Sequence, residues 1–435
     1  MPLFRPRSAT PDDRRFNRDV LWNVVSLAVL AGAGVVVNVV IARAPGYGPD
    51  ALGVFNQVFA FYIVLSQIAV GGLHLSALKH IAHHQDDPRR RAAICAAALL
   101  LAGGLAGAVS LAIFLLREPV AAAWGSPALA SGLALAAPGL LLFSLNKVLT
   151  CVVNGARHMR AYAVFQALRF VLIVAALVFL IGRRRPIEQL PVALTFAEAV
   201  LFLLQGAYVQ MRVASLWPRR EALAWLRPHL DFGLRGALAG VLTEMNTRVD
   251  VLMLGLFVDD RLVGLYSFAA IPAEAFSQLP LVVRRNVDPL IGALFAKGEL
   301  HQIHAFARRV MPRVFGAMVA LALPACLAYP FVVRVVVGDA SFADTWPLFA
   351  ILTAGITLSS GYRAFFGVLL QGGRPGAHTL CVLSVVAANV VLNLALIPLL
   401  GTYGAALATA LAFMLEAFFI AWFARRLLGV RLGGW

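Results

Sequence analysis

The chain has 435 residues, of which 61% are hydrophobic and only 13% are charged, and its mean hydropathy is +0.83. A soluble domain carries about 25% charged residues, so this composition excludes an ordinary soluble protein and indicates one that crosses a membrane repeatedly. The net charge of +16 does not indicate nucleic-acid binding, because the arginines alternate with apolar runs and form no single basic face.

Twelve apolar runs follow one another along the chain, and each is long enough to cross the hydrocarbon layer, which takes roughly 20 residues. They lie near residues 20–42, 53–78, 93–116, 128–153, 160–182, 190–210, 232–257, 263–283, 311–337, 345–370, 376–399 and 402–424. The gaps between them are too short for a folded soluble domain. We therefore predict an all-α polytopic membrane protein with about twelve transmembrane helices.

The distribution of lysine and arginine predicts the orientation of these spans. With a cytoplasmic N-terminus, the inner segments hold 25 of these cations and the outer loops hold 6. An excess of positive charge marks the cytoplasmic side, so we predict that both termini are cytoplasmic. The cluster Arg183-Arg184-Arg185 is the one outer group that departs from the pattern.

Two parts of the chain resemble each other and predict an internal repeat. Residues 51–67 and 262–278 match at an offset of 211, which aligns Gly53 with Gly264, Ser66 with Ser277 and Gln67 with Gln278. Residues 154–157 match 371–374 in the same order, at an offset of 217. Internal repeats are typical of transporters, in which two equivalent bundles rock about a site between them.

Six spans in each half is an even number, so both halves enter the membrane in the same direction. We therefore predict two parallel six-helix repeats around a central cavity, related by an axis along the membrane normal. The predicted boundaries are an N-terminal bundle at 1–212, a cytoplasmic amphipathic linker at 213–230 and a C-terminal bundle at 231–435.

Ionisable residues inside spans are the strongest functional signal, because a charge at mid-membrane costs at least about 2.5–3.5 kcal/mol. The seventh span carries Arg235, Glu244, Arg248 and Asp250. Glu244 and Arg248 are four residues apart, so they share a helix face and could pair. Two interpretations stay open: this span borders the space between the halves, or its charges form interhelical salt bridges.

Lys147 and Arg363 occupy equivalent positions in the fourth and tenth spans. Two such cations facing a central cavity would bind an anion such as a diphosphate. The alternative is that each pairs with a carboxylate, such as Glu198, Glu244 or Glu274.

The predicted site therefore has two sets of residues and no catalytic group. The substrate-binding cations are Lys147, Arg169, Arg235, Arg248 and Arg363. The residues predicted to couple or gate transport are Glu244, Asp250, Glu274 and Glu416. The four cysteines and the His80–His84 pair lack the spacing of a metal site, and we find no nucleotide-binding motif, so we predict no metal, no cofactor and no enzymatic activity.

Three stretches carry a resemblance to known transporters. They are residues 23–78, with Ile41-Ala42-Arg43, Gly53-Val54-Phe55 and Gly71-Gly72-Leu73, then residues 248–256 with Asp250, then residues 401–406, which read GTYGAA. In these the chain resembles the polysaccharide-exporter and lipid-linked oligosaccharide flippase families of the multidrug/oligosaccharidyl-lipid/polysaccharide superfamily. The resemblance extends over nearly the whole chain.

This resemblance implies a flippase of the bacterial inner membrane that works as a monomer. Such proteins are similar in taking the diphosphate-sugar headgroup of a polyprenyl lipid into a central, often cationic cavity. Alternating access then moves the headgroup outward for cell-surface polysaccharides such as the O-antigen of lipopolysaccharide. The implied partners are the lipid-linked substrate, the membrane and glycosyltransferases or a polymerase of the same pathway.

Two other functions stay open. A multidrug efflux transporter of the same superfamily would have a more acidic cavity. The spans hold six cations and five carboxylates, which favours an anionic substrate only slightly. A membrane glycosyltransferase or polysaccharide polymerase would have a long outer loop, and the predicted outer loops are short.

Overall fold

The computed structural model describes residues 32–217 and 220–432, and the regular structure in those ranges is helical throughout. The helices are α1 (Gly32–Arg43), α2 (Gly48–Val70), α3 (Leu73–His83), α4 (Pro88–Ala123), α5 (Pro127–Gly155), α6 (Met159–Gly182), α7 (Val192–Arg212), α8 (Leu223–Leu254), α9 (Asp260–Ala296), α10 (Leu300–Val336), α11 (Trp346–Arg363), α12 (Val368–Gln371), α13 (Pro375–Leu400) and α14 (Thr402–Leu428). Residues 20–31, the start of the first predicted span, lie outside the described residues.

The ends of these helices follow from local sequence. Helix α4 begins where the Asp87 carboxylate accepts the backbone N–H groups of Arg89 and Arg90 at 3.1 and 3.0 Å, with Pro88 in the first turn. The second predicted span, 53–78, is not one continuous helix. Gly71 and Gly72 have φ of 50° and 72°, a conformation that favours glycine, and they separate α2 from α3.

Nine described helices are long and apolar enough to cross a membrane, and α1 is a shorter apolar helix. The nine do not include α8 or α9, although the sequence predicts a span in each. Polar and charged residues lower the hydropathy of both helices, among them Glu244, Arg248 and Asp250 in α8 and Glu274 and Gln278 in α9. With these two, the helices match the twelve predicted spans in order.

The outer surface of the bundle is apolar, as contact with lipid requires. Large hydrophobic side chains such as Leu203, Leu327 and Phe331 are about 70% exposed. In a soluble protein, exposed apolar side chains in such number would favour association. Here they surround polar residues that are turned inward, which is the arrangement of a multi-pass membrane protein.

The two halves meet along α2 and α9, and two glycines make this contact possible. A Cβ at Gly53 would collide with the backbone of Asp260, and a Cβ at Gly264 would collide with the backbone of Pro49. Pro49 and Asp260 are themselves separated by the 211-residue offset of the repeat. The contact is therefore reciprocal, as expected for parallel repeats related by a two-fold axis.

The region of the predicted linker continues into the seventh span. Helix α8 begins at Leu223 and continues through residue 230 to Leu254 without a break. Its Trp225 packs edge-on against His80 and His84, with ring centroids 5.1 and 5.3 Å apart. The His80–His84 pair thus anchors the start of α8 to α3 through ring contacts.

Candidate functional site

A cavity of about 510 Å³ lies between the two halves. Helices α1, α2, α3, α5, α6 and α7 line it on one side, and α8 and α9 line it on the other. Its charged lining consists of Lys147, Arg169, Glu198, Glu244, Arg248 and Glu274. Five of these six residues are among the nine that the sequence predicts for the site. The sixth, Glu198, is not.

Arg169 and Glu198 form a buried ion pair in the N-terminal half. The Arg169 Nε lies 2.6 Å from Glu198 Oε1, and the Asn146 amide donates to Glu198 Oε2 at 2.7 Å. The guanidinium carbon of Arg169 also lies 4.5 Å from the centre of the Phe143 ring. From the sequence, Glu198 is expected only as a possible partner of Lys147 or Arg363. Its pairing with Arg169 comes from the packing of α6 on α7.

Arg248 pairs with a different carboxylate from the one that helical spacing predicts. Its Nη1 and Nη2 donate to the two carboxylate oxygens of Glu274 at 3.1 and 3.3 Å. Glu244, one turn away on α8, is instead 3.4 Å from the Gln67 amide of α2. A bidentate partner on α9 matches the planar guanidinium better than a carboxylate on the same helix.

Lys147 has neutral partners. Its Nζ donates to Ser66 Oγ at 2.8 Å and to Gln67 Oε1 at 3.0 Å, and lies 4.8 Å from the Phe143 ring centre. Among the described residues, no carboxylate lies within ion-pair distance of this ammonium group. Through Gln67, the lysine of one half is linked to Glu244 of the other.

The equivalent cation of the C-terminal half does not line the cavity. Arg363 pairs with Glu416 of α14, with Nε and Oε2 3.2 Å apart, and lies over the Phe413 ring at 4.6 Å. Both side chains are largely buried. The structure thus brings Lys147, but not Arg363, to the space between the halves.

Two further predicted residues lie away from the cavity. Asp250 is buried and accepts hydrogen bonds from the Tyr266 hydroxyl and from the Val251 backbone N–H. Arg235 is exposed on α8. Of the five predicted charged residues on α8 and α9, three line the cavity: Glu244, Arg248 and Glu274.

Polar residues that the sequence analysis does not assign to the site also line the cavity. Gln67 and Gln278 both do so, and they are equivalent positions of the repeat. The repeat is the signal that could have found them. His74, Asn154, Tyr162 and Gln166 line it too. Asn154 belongs to the second repeat match and Gln166 lies about one helical turn from Arg169, whereas nothing in the sequence marks His74 or Tyr162 as a cavity residue.

Polar contacts join the halves at the end of the bundle where α2 and α9 begin. The Asp260 carboxylate accepts from the Gln57 amide at 2.6 Å and from the Ser126 hydroxyl at 2.7 Å. Nearby, the Trp124 indole N–H donates to the Leu252 carbonyl at 3.0 Å. The cavity is therefore closed at this end.

The described residues contain no group of three or more His, Cys, Asp or Glu side chains placed to hold a metal ion.

Comparison with known proteins gives a consistent result. A family described as "Polysaccharide biosynthesis protein" matches residues 16–283, which is more than half of the chain. "Probable flippase AglR" of Haloferax volcanii is 27% identical over 237 residues, covering 51% of this chain and 47% of that protein. The match therefore spans about half the length of this curated relative.

Two solved structures share the fold. One is described as an inward-facing conformation of a multidrug resistance MATE family transporter, with TM-score 0.75, 14% identity, and coverage of 93% of this chain and 98% of that one. The other is described as the lipid II flippase MurJ in an inward closed conformation, with TM-score 0.72, 12% identity, and coverage of 93% and 87%. These structures confirm the predicted fold class. The family match confirms the predicted resemblance to polysaccharide-exporter proteins.

Proposed function

This chain belongs to the polysaccharide biosynthesis protein family, and from that membership we propose that it is a flippase for a polyprenyl-diphosphate-linked oligosaccharide. The observation that carries the proposal is Lys147, a cation in the central cavity held only by neutral groups. A diphosphate can replace Ser66 and Gln67 as the partner of this ammonium group without breaking an ion pair. Arg169 and Arg248 line the same space and offer the fork geometry that phosphate prefers.

Alternating access would move the headgroup between the two sides. The cavity is closed where α2 and α9 begin, an end that the distribution of Lys and Arg predicts to be outside. We propose that the described conformation is open to the cytoplasm, that both termini are cytoplasmic, and that the membrane is the bacterial inner membrane. An inward-facing MATE structure matches with TM-score 0.75 and an outward-facing one with 0.59, which supports this proposal.

The lipid tail would stay in the bilayer, because the cavity is too small for it and the bundle surface is apolar. The product would serve cell-surface polysaccharides such as an O-antigen, with glycosyltransferases or a polymerase supplying and using the lipid-linked glycan.

We propose that the chain acts as a monomer without enzymatic chemistry. The two bundles and the linker keep the boundaries 1–212, 213–230 and 231–435 in this proposal.

Multidrug efflux is the second candidate, and one observation favours it. The described cavity lining contains as many carboxylates as cations, and Glu244 forms no ion pair with another described residue. An organic cation would find a partner there. The MATE transporter with a similar fold is consistent with this alternative.

The test uses purified protein in proteoliposomes with a fluorescent polyprenyl-diphosphate oligosaccharide. We expect Lys147→Ala to slow headgroup translocation at least about tenfold, because one charge-assisted contact is worth about 1.5–3 kcal/mol. Lys147→Arg should keep most of the rate. The matched control is Lys297→Ala, at an exposed lysine outside the cavity.

If wild type does not move this lipid but moves an organic cation, the flippase proposal is overturned in favour of efflux. If Lys147→Ala moves the lipid as fast as wild type, the binding role of this lysine is excluded.

A further inference from the structure

The two walls of the cavity carry opposite charge. On the N-terminal wall are Lys147, Arg169 and Glu198, a net charge of +1, and on the C-terminal wall are Glu244, Arg248 and Glu274, a net charge of −1. The charged side chains that line the cavity in the described part of the chain therefore sum to zero. Each arginine is already paired with a carboxylate, so Lys147 is the lining cation that has no acidic partner.

Four neutral polar side chains line the N-terminal wall of the cavity together with Lys147. They are His74, Asn154, Tyr162 and Gln166, from α3, α5 and α6. Asn154 lies about two turns from Lys147 on the same helix, and the Gln166 amide donates to the Tyr162 hydroxyl at 3.2 Å. The Nδ1 atom of His74 is buried without a hydrogen-bond partner in the described structure.

This chemistry suits a sugar ring. Amide side chains both donate and accept hydrogen bonds, as sugar hydroxyls do, and a tyrosine ring offers an apolar face with a polar tip. A buried imidazole nitrogen without a partner is costly unless a ligand supplies one. None of these four side chains is a carboxylate, a lysine or an arginine.

We propose that His74, Asn154, Tyr162 and Gln166 form the subsite for the sugar attached to the diphosphate, and that the cavity selects an uncharged sugar over an acidic one. This inference rests on the flippase function proposed above. The diphosphate pairs with Lys147, and both lining arginines already pair with carboxylates. An acidic sugar would therefore bring a further negative charge into a cavity with no cation left to pair with it. The carboxylates of Glu244 and Glu274 line the opposite wall and would repel the negative charge of an acidic sugar.

Two matched substrates test this selectivity in proteoliposomes. Both carry the same polyprenyl diphosphate, one linked to a neutral hexose and the other to the corresponding uronic acid. We expect wild type to move the neutral lipid at least about tenfold faster, the effect of one unfavourable charge contact in a partly solvated site. Glu244→Gln should narrow this ratio several-fold, whereas Glu221→Gln, at an exposed glutamate, should leave it unchanged.

A second pair of variants tests the subsite itself. We expect Gln166→Ala to slow transport of the neutral sugar lipid but not of a polyprenyl diphosphate without sugar. Gln302→Ala, at an exposed glutamine, is the control. Equal slowing of both lipids by Gln166→Ala would overturn the subsite, because it would indicate a general structural defect.

The outcomes separate the inference from the function on which it rests. If neutral and acidic lipids move at equal rates, the flippase function stands and the selectivity is overturned. If neither lipid moves in protein that is folded, the flippase function is overturned and this inference falls with it.

Discussion

Gly53 of α2 and Gly264 of α9 occupy equivalent places in the two halves, and each lies against the backbone at the start of the other's helix. Gly53 contacts Asp260, and Gly264 contacts Pro49. The absence of a side chain at both positions lets the two helices approach closely at the closed end of the cavity. In the proposed alternating-access cycle, this contact would have to separate.

The first prediction concerns these glycines. We expect Gly53→Val and Gly264→Val each to destabilise the closed end by about 1–3 kcal/mol, because the added side chain collides with backbone that cannot rotate away. The population open at that end should rise. The measurement is maleimide labelling of Ser126→Cys, buried in the closed state, in a chain whose native cysteines are replaced by serine.

The control for this experiment is Gly104→Val, since a Cβ at Gly104 would have no neighbour within 4 Å. Labelling of the two variants at the rate of the control would contradict the role assigned to the α2–α9 contact.

The second prediction concerns Asp260, which accepts hydrogen bonds from Gln57 and Ser126 across the two halves. Asp260→Ala removes both acceptors, and hydrogen bonds to charged groups contribute about 1.5–3 kcal/mol each. We expect the same increase in opening, measured as the distance between spin labels on α2 and α9. Asp231→Ala, on an exposed part of α8, should leave the distance distribution as in wild type.

The third prediction concerns the buried pair Arg169–Glu198. Glu198→Gln leaves the guanidinium buried without a counter-charge, and we expect a loss of about 3–5 kcal/mol in stability. The double variant Arg169→Met, Glu198→Gln should recover part of that loss. Thermal unfolding in detergent measures both.

An exposed pair provides the comparison for this measurement. Arg227 and Asp231 lie 3.9 Å apart with side chains 93% and 61% exposed. Removing Asp231 should change stability by less than about 1 kcal/mol. Similar losses at the two sites would show that burial does not set the energy of these pairs.

The fourth prediction is a pH dependence at the start of α4, outside the spans. The pKa of Asp87 lies below its ordinary value of 3.8, chiefly because the Arg90 backbone N–H donates to the carboxylate, with further lowering by the Arg90 charge and the Arg89 N–H. A depressed pKa means that the carboxylate stabilises the fold above its unfolded pKa and that this contribution is lost as pH falls through the folded value.

We therefore expect Asp87→Ala to lower the thermal midpoint at pH 7, and this difference to shrink below about pH 4. Asp87→Ser keeps an N-cap side chain that does not titrate. The thermal midpoint of this variant should therefore lack the acid dependence that the Asp87 carboxylate contributes. A difference between wild type and Asp87→Ala that is the same at pH 7 and pH 3 would rule out the titration of this carboxylate as its source.

Sequence patterns predict the helices and the repeat because both depend on neighbours along the chain. Apolar run length sets each span, and α8 and α9 are recognisable as unusual because charges interrupt them. The match of residues 51–67 to 262–278 predicts two parallel halves, and the reciprocal contacts of Gly53 and Gly264 agree with it. A membrane makes these predictions strong, because a backbone in hydrocarbon must be helical or closed into a barrel.

The sequence by itself also determined which kinds of residue are available inside the membrane, but tertiary structure decided their partners. Spacing placed Glu244 and Arg248 on one face of α8, yet Arg248 pairs with Glu274 because α9 packs beside it. Lys147 and Arg363 are equivalent in sequence, yet only the first faces the cavity, because α14 brings Glu416 to the second. Helical periodicity fixes the angle of a side chain around its own axis, whereas the rotation of each helix against its neighbours depends on packing across the whole bundle.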